Sequence, residues 1–306
     1  MTPISVYIHI PFCERRCPYC DFESSVGGDH KKYVDDLCAE IKRANVTAKT
    51  IYFGGGTPSF IDANYIAQIM SCINCTPDAE VTIECNPNSV TEDKLTTYKN
   101  AGVNRVSIGV QSFDDATLKI LGRVHNAKQA RASIFMACKI FDNVSIDLIH
   151  SVPGGKVKLP RLFLGAVKHV SAYCLTSDKY EKVPDEQSIK QQRKIERRLK
   201  RAGFEKYEVS NFARKGFECK HNIVYWECQP WLGFGRGAKS SPKFTRADRI
   251  MMGLRMTRGV DVGLLVGKEK TVDILVGLGL LKCENGRVAC TERGMLLQNQ
   301  VLDKLI

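Results

Sequence analysis

Cys13, Cys17 and Cys20 place three thiols within eight residues, in the spacing C-x3-C-x2-C, at the end of the alternating run Tyr7-Ile-His-Ile-Pro-Phe-Cys13. Three soft ligands in one tight loop suit an iron-sulfur cluster. Four irons held by three protein sulfurs leave one iron open to a small molecule, whereas a fully ligated cluster only passes electrons. The alternatives are a partial zinc site or ordinary buried thiols. Structural zinc sites usually show paired C-x2-4-C knuckles and a fourth ligand. Further along the chain, Gly54-Gly55-Gly56-Thr57 would let a backbone approach a ligand closely. Glu84 has the chemistry to accept hydrogen bonds from a pair of ribose hydroxyls. Asp147 is a carboxylate in an apolar run, where it needs a partner, and Arg123 is the candidate.

The elements that must position these residues alternate regularly. Residues 5–10, 50–53, 80–85, 105–110, 144–149 and 169–175 read as strands, rich in β-branched and apolar residues. Between them, residues 30–44, 63–73, 91–100, 114–121 and 127–141 carry apolar side chains at helical spacing. This β then α alternation predicts an α/β fold with parallel strands and right-handed crossovers, a partial (βα)6 barrel. Cys13, Gly55, Glu84 and Gln111 each follow or end a strand, and Asp147 lies within the fifth. The C-terminal ends of strands are where such barrels carry their chemistry. From about residue 245 the pattern is helix, helix, hairpin, helix, with Glu284-Asn285-Gly286 at the turn and a last helix over 294–305. It resembles a small winged-helix α+β domain. The expected division is 1–180 for the barrel, 181–244 for an extension, and 245–306 for the C-terminal domain.

The cysteine spacing, with Tyr19 inside it, resembles the radical S-adenosylmethionine (SAM) superfamily. That resemblance implies a 4Fe-4S cluster on Cys13, Cys17 and Cys20. It implies SAM chelated to the open iron, where one electron yields a 5′-deoxyadenosyl radical. Longer motifs narrow it: Phe53-Gly-Gly-Gly-Thr-Pro-Ser59, Gly102-Val-Asn-Arg-Val-Ser-Ile-Gly-Val-Gln111, Leu121-Gly-Arg-Val-His125, Tyr207-Glu-Val-Ser-Asn-Phe-Ala213, His221-Asn-Ile-Val-Tyr-Trp226 and Leu232-Gly-Phe-Gly-Arg-Gly-Ala238. Together they resemble the oxygen-independent coproporphyrinogen III oxidase family over most of the chain.

Position by position, the resemblance sets Tyr7 and Tyr19 against the cluster-bound SAM, and Gly55 and Glu84 at its methionine and ribose ends. Gly56, Thr57, Gln111, Arg123 and Asp147 match positions that hold a second SAM in decarboxylating members. One branch converts coproporphyrinogen III to protoporphyrinogen IX; another binds heme and delivers it to acceptor proteins. Phe22, where the decarboxylases have a further cysteine, the early first strand, and the run around His221 favour the heme-carrying branch. His221 is then the expected axial ligand to heme, with Tyr225 and Trp226 able to stack on a porphyrin and Cys219 as a rival ligand. No residue is assigned a catalytic role. Lys239 and Arg236 depart from the family pattern, and the chain looks shortened after Gly154 and after Ser240.

The net charge of +12 with 43% hydrophobic and 25% charged residues fits a globular protein with an acidic ligand or partner. Much of the excess lies in residues 190–201, which also reads as the wet face of a helix. The third function class is a basic zinc-containing nucleic-acid-binding protein; no aromatic RNA-binding motif supports it. Cys72-Ile-Asn-Cys75 follows a helix instead of opening one, so it reads as structural. Thirteen cysteines with no leader ahead of the first strand point to a reducing compartment, the cytoplasm. No apolar stretch reaches the roughly 18–20 residues of a membrane span. A heme recipient and an electron donor are the expected partners.

Overall fold

The computed structural model describes residues 2–306. Its strands are β1 (Ile4–Ile10), β2 (Thr47–Gly55), β3 (Asn74–Cys85), β4 (Arg105–Gln111), β5 (Asn143–His150), β6 (His169–Cys174), β7 (Glu205–Lys206), β8 (Asn211–Ala213) and β9 (Trp231–Phe234). They form one sheet in the order β9-β1-β2-β3-β4-β5-β6-β8-β7. From β9 through β6 all neighbours are parallel, and β8 and β7 add antiparallel at the far edge. The expected six-unit partial barrel is therefore present, with one more parallel strand. Trp231–Phe234 pairs with Ser5 to Ile8, so the glycine-rich run after Leu232 belongs to a strand and its turn.

Helices α1 (His30–Ala44), α2 (Ala63–Met70), α3 (Glu92–Asn100), α4 (Asp115–Ile120), α5 (Ala127–Ile140) and α6 (Arg161–Ala166) fill the crossovers. Local chemistry fixes their ends. Asp29 caps α1 by accepting from the Lys32 amide, and Asn45 closes it in the left-handed region at φ 45°. Asn126 and Gln129 form a reciprocal capping box on α5. Helix α2 stops at Met70, short of the expected 73, because β3 begins early. Asn74 and Cys75 already pair with Thr47 and Ala48, before a register shift leads into the pairing of Thr50 with Glu80.

The strands sort their side chains by parity. Val6, Ile8, Ile51, Phe53, Val81, Ile83, Val106, Ile108, Val144, Ile146 and Val170 are buried in the core with the helices. The alternate positions are polar. Ser5 pairs with Thr50, Thr50 with Glu80, Thr82 with Arg105, Glu84 with Ser107, and Asp147 with Ser171. The concave side of the sheet is thus a polar lumen, and the convex side an apolar one.

Helix α7 (Asp185–Arg201) buries Ile195 and Leu199 and leaves its basic side chains outward. Helix α8 (Lys220–Trp226) packs against β2. The last residues contain α9 (Arg246–Gly253), β10 (Val260–Asp261), α10 (Glu269–Gly277), a hairpin of β11 (Leu281–Glu284) and β12 (Arg287–Cys290), then α11 (Glu292–Leu296) and α12 (Gln298–Leu305). The three strands form their own sheet, around a separate cluster that includes Leu254, Leu275, Val288 and Val301. Asn285 and Gly286 both take positive φ, 52° and 71°, as a tight two-residue hairpin requires. The single helix expected over 294–305 is two helices. Gly294 lies against the Leu280 backbone, and Leu297 breaks the helix at φ −113°.

Candidate cofactor site

The cysteine loop leaves the end of β1 and is closed at its base by backbone. Phe12 and Cys13 pair in parallel with Ser25 and Val26, and the Ser25 amide donates to the Pro11 carbonyl at 2.7 Å. The end of β2 grips the same segment. The Gly56 amide donates to Ile10 at 2.8 Å and the Thr57 amide to Phe12 at 2.8 Å. A Cβ on Gly56 would stand 2.8 Å from the Phe12 oxygen and 2.9 Å from the Ile10 oxygen. Glycine is required here by close backbone approach, as the triple-glycine run suggested.

Cys13, Cys17 and Cys20 are half-buried free thiols, unlike the buried Cys38, Cys85, Cys219, Cys228 and Cys290. Burial raises the Cys20 thiol above its usual range. The loop is tied to three strand ends by one polar chain. The Cys13 sulfur lies 3.4 Å from the Thr57 hydroxyl, which accepts from Asn86 Nδ2 at 3.0 Å. Arg123 bonds Asn86 Oδ1 and the Gly109 carbonyl with one nitrogen, and with the other donates to Cys17 Sγ at 3.5 Å and the Tyr19 hydroxyl at 3.2 Å. Arg123 is thus committed to the loop and is not a hydrogen-bonding partner of Asp147 as expected. Asp147 instead accepts from Ser107 at 3.2 Å and from Ser171. Burial raises its pKa, and the more distant charges of Arg105 and Arg123 oppose the rise.

Beside the loop, Tyr7 donates to His9 Nδ1 at 3.3 Å while His9 Nε2 donates to the Glu23 carbonyl at 2.8 Å. A Cβ on Gly54 would meet Tyr52, Tyr7 and Glu84 at 3.1 to 3.2 Å. Gly55, at φ 106°, lies against the His9 ring. Tyr52 donates to Glu84 at 2.8 Å. Burial, reinforced by the Asp147 charge, pushes the Glu84 carboxyl up to about 7 against the pull of Tyr52 and Arg105. Gln111 ends β4 in the left-handed region at φ 60°. Tyr7, Gly54, Gly55, Glu84 and Asp147 therefore line one lumen, whose mouth holds the cysteine loop, Thr57, Gln111 and Arg123.

His221 adjoins this group through Tyr52, at the level of Thr50. Its ring is fully buried, stacked 5.2 Å from Tyr52, with Nδ1 at 2.7 Å from the Thr50 hydroxyl and Nε2 at 2.8 Å from the Tyr225 hydroxyl. Burial, with the Arg105 charge, lowers its pKa to about 3, so the ring is neutral. Both nitrogens are engaged, and in this arrangement His221 presents none to an iron. Cys219 is equally buried, with its thiol pushed up to about 12. The axial-ligand expectation thus has no support in the geometry; the pair helps to plug the barrel.

Asn86, Tyr52, His9 and Arg105 were not singled out from sequence. Arg105 is fully buried among Glu80, Cys219, Tyr52 and Tyr207, with Nε and Nη1 unpartnered. The polar alternate positions in β1 to β6 were the available signal.

The residues fit the group that the cysteine motif implies. Among the described residues, no three aspartate, glutamate, histidine or cysteine side chains stand close enough together to hold a single metal ion. A cluster places each thiolate on a different iron, so its ligands need a shared loop and not one coordination sphere. When bound there, such a cluster supplies electron transfer and an open iron for SAM. The lumen supplies hydroxyl and carboxylate groups beside it.

Residues 7–156 match the family model described as the radical SAM superfamily. The fold agrees. The coproporphyrinogen III oxidase HemN from Escherichia coli, described as a radical SAM enzyme, superposes with a TM-score of 0.79 at 21% identity, over 99% of this chain and 90% of that one. The chain is a radical SAM protein. Among curated proteins, the heme chaperone HemW of Synechocystis sp. is 35% identical over 78% of this chain and 66% of its own length. Its Escherichia coli counterpart is 33% identical, over 80% and 71%. That of Lactococcus lactis is 30% identical over 369 positions, 99% of this chain and 97% of the relative. Within the superfamily, the chain belongs to the family of the heme chaperone HemW. It spans about two thirds of the length of the Synechocystis relative. The 369 aligned positions exceed its 306 residues, in keeping with internal shortening.

Proposed function

We propose that this protein carries heme to a recipient protein and uses a radical SAM site as its control or electron-accepting centre. Cys13, Cys17 and Cys20 hold a 4Fe-4S cluster; Tyr7, Tyr19, Gly55 and Glu84 hold SAM beside it. Gly56, Thr57, Gln111 and Arg123 shape the mouth of the site, and Asp147 lies deeper. The carrying observation is the half-buried thiol triad, bound into three strand ends by Thr57, Asn86 and Arg123. The heme assignment rests on the names of the relatives.

Residues 1–180 act as the barrel, 181–244 as its extension and 245–306 as a cap. No helix among the described residues is long and apolar enough to cross a membrane. We assign the protein to the cytoplasm, with a heme acceptor and an electron donor as partners.

The test is anaerobic reconstitution of the wild type and a Cys13→Ala/Cys17→Ala/Cys20→Ala variant, followed by iron and sulfide analysis, heme titration and a coproporphyrinogen III turnover assay. Four irons per chain in the wild type alone, heme binding and no turnover support the carrier. Turnover that depends on the three cysteines makes the protein a decarboxylase instead.

A further inference from the structure

A run of aromatic rings joins the lumen to the edge of the sheet. Centroid to centroid, Tyr7 stacks 6.3 Å from Tyr52, Tyr52 5.2 Å from His221, His221 stands 5.1 Å from Tyr225, and Tyr225 4.7 Å from Trp231. At the inner end, His9 ties Tyr7 to the cysteine loop through the Glu23 carbonyl. At the outer end, Trp231 is half-buried in β9, the edge strand. Electrons cross gaps of this size from ring to ring, but a phenol releases one readily only where its proton has an acceptor. Each tyrosine has one: His9 Nδ1 lies 3.3 Å from the Tyr7 hydroxyl, Glu84 Oε1 2.8 Å from Tyr52, and His221 Nε2 2.8 Å from Tyr225.

The two tryptophans of the chain differ as end points. Trp231 Nε1 donates to the Lys239 carbonyl at 2.9 Å, which favours positive charge on the indole. Trp226 lies under the Arg255 guanidinium, 4.3 Å from its ring, where a second positive charge is repelled. It packs in a separate cluster with Tyr207 and Met256.

We propose that Tyr7, Tyr52, His221, Tyr225 and Trp231 form a relay that drains oxidising equivalents from the cysteine-loop chamber to the surface. It rests on the cluster assignment of the proposed function and not on the heme reading. The oxidant is hydrogen peroxide. One electron from ferrous iron at the loop splits its O–O bond into hydroxide and a hydroxyl radical. That radical takes an electron from Tyr7 and becomes a second hydroxide, while the phenol proton passes to His9. Tyr52 then reduces Tyr7, which recovers its proton, and gives its own to Glu84. Tyr225 reduces Tyr52 in the same way and gives its proton to His221 Nε2. An oxidised phenol is a strong acid, so the neutral imidazole accepts the proton although burial and Arg105 weaken its basicity. Trp231 supplies the last electron, Tyr225 takes its proton back, and the indole cation at the edge is reduced by a soluble thiol.

The test adds stoichiometric hydrogen peroxide, anaerobically, to the full-length, cluster-loaded protein in the presence of a nitroso spin trap. The trap adds to side-chain radicals, and peptide mass spectrometry locates the adduct. Iron and sulfide analysis precedes it. We expect Trp231 to carry most of the adduct, and Trp226 only the background seen in cluster-free protein. Tyr225→Phe keeps the ring and removes the phenol proton. In that variant the Trp231 adduct should fall to the Trp226 level, with adduct on Tyr52 or Tyr7 instead. Trp231→Phe, at the half-buried edge, should leave the adduct on Tyr225. Equal marking of the two tryptophans overturns the relay, as does Trp231 marking that survives Tyr225→Phe or loss of the cluster. Adduct missing from Tyr225 in Trp231→Phe, or from every relay residue of the iron-loaded wild type, overturns it too and leaves the cluster assignment standing. A wild type that takes up no iron overturns both.

Discussion

Replacing Gly56 by alanine tests how the cysteine loop is held. The added Cβ would fall 2.8 Å from the Phe12 oxygen, 2.8 Å from the Pro11 carbonyl carbon and 2.9 Å from the Ile10 oxygen. All three are backbone atoms, so no rotamer change relieves the clash. Either β1 and the turn after β2 separate, or the Gly56–Ile10 and Thr57–Phe12 hydrogen bonds lengthen from 2.8 Å. Overpacking of this kind costs about 1–3 kcal/mol, and each weakened hydrogen bond about 1 kcal/mol more. The expected loss is about 3–5 kcal/mol, read from the urea midpoint of the cluster-free protein. Because Cys13 directly follows Phe12, the same variant should retain less iron per chain after reconstitution. Gly165→Ala is the control. Its Cβ meets nothing within 4 Å, and in α6 alanine should be neutral or stabilising by up to about 1 kcal/mol. A wild-type midpoint and full iron content in Gly56→Ala would show that the close approach does not hold the loop.

Glu84→Gln should change the pH dependence of stability. A carboxyl raised from the usual 4.5 to about 7 in the folded protein is penalised when ionised. It therefore takes stability away as pH rises from 4.5 through 7. The variant should gain on the wild type across that window in a melting series, and the two should converge below it. Arg123→Gln should lower iron retention and weaken SAM binding by about tenfold, since a charge-assisted bond contributes about 1.5–3 kcal/mol. Equilibrium dialysis with SAM measures this, and unchanged affinity with full iron would remove Arg123 from the site. His221→Ala leaves Thr50 and Tyr225 without their partner and should destabilise by about 2–3 kcal/mol. Its heme affinity, measured well below the transition, should equal that of the wild type; a lost Soret shift would restore His221 as a ligand.

Much of this arrangement was legible in the sequence because it is local. The cysteine spacing and the glycines after β2 act within a few residues of themselves. The placement of Glu84 and Gln111 at strand ends followed from the βα rhythm. What could not be read depends on distant segments. Arg123 and Asp147 looked like a pair because each needed one, yet Arg123 turns to Asn86 and Cys17 while Asp147 finds two serines on adjacent strands. His221 lies in a motif with the composition of a metal site, but only the packing of α8 under β2 reveals that both nitrogens are occupied. The strand β9 was hidden in a glycine-rich run, whose short apolar stretch has no alternation of its own.

That strand has a consequence for biosynthesis. Ser5 leaves the ribosome well ahead of Trp231, the partner that completes its pairing. At about 5–20 residues per second, β1 waits roughly 10–50 s for its second neighbour. Throughout that interval one flank of the strand that carries the cysteine loop is an open edge, exposed to competing strands. A chaperone or an inserted cofactor acting before β9 has formed would meet a half-framed loop. A truncated product ending before β9 would carry all three cysteines and still lack the frame that holds them.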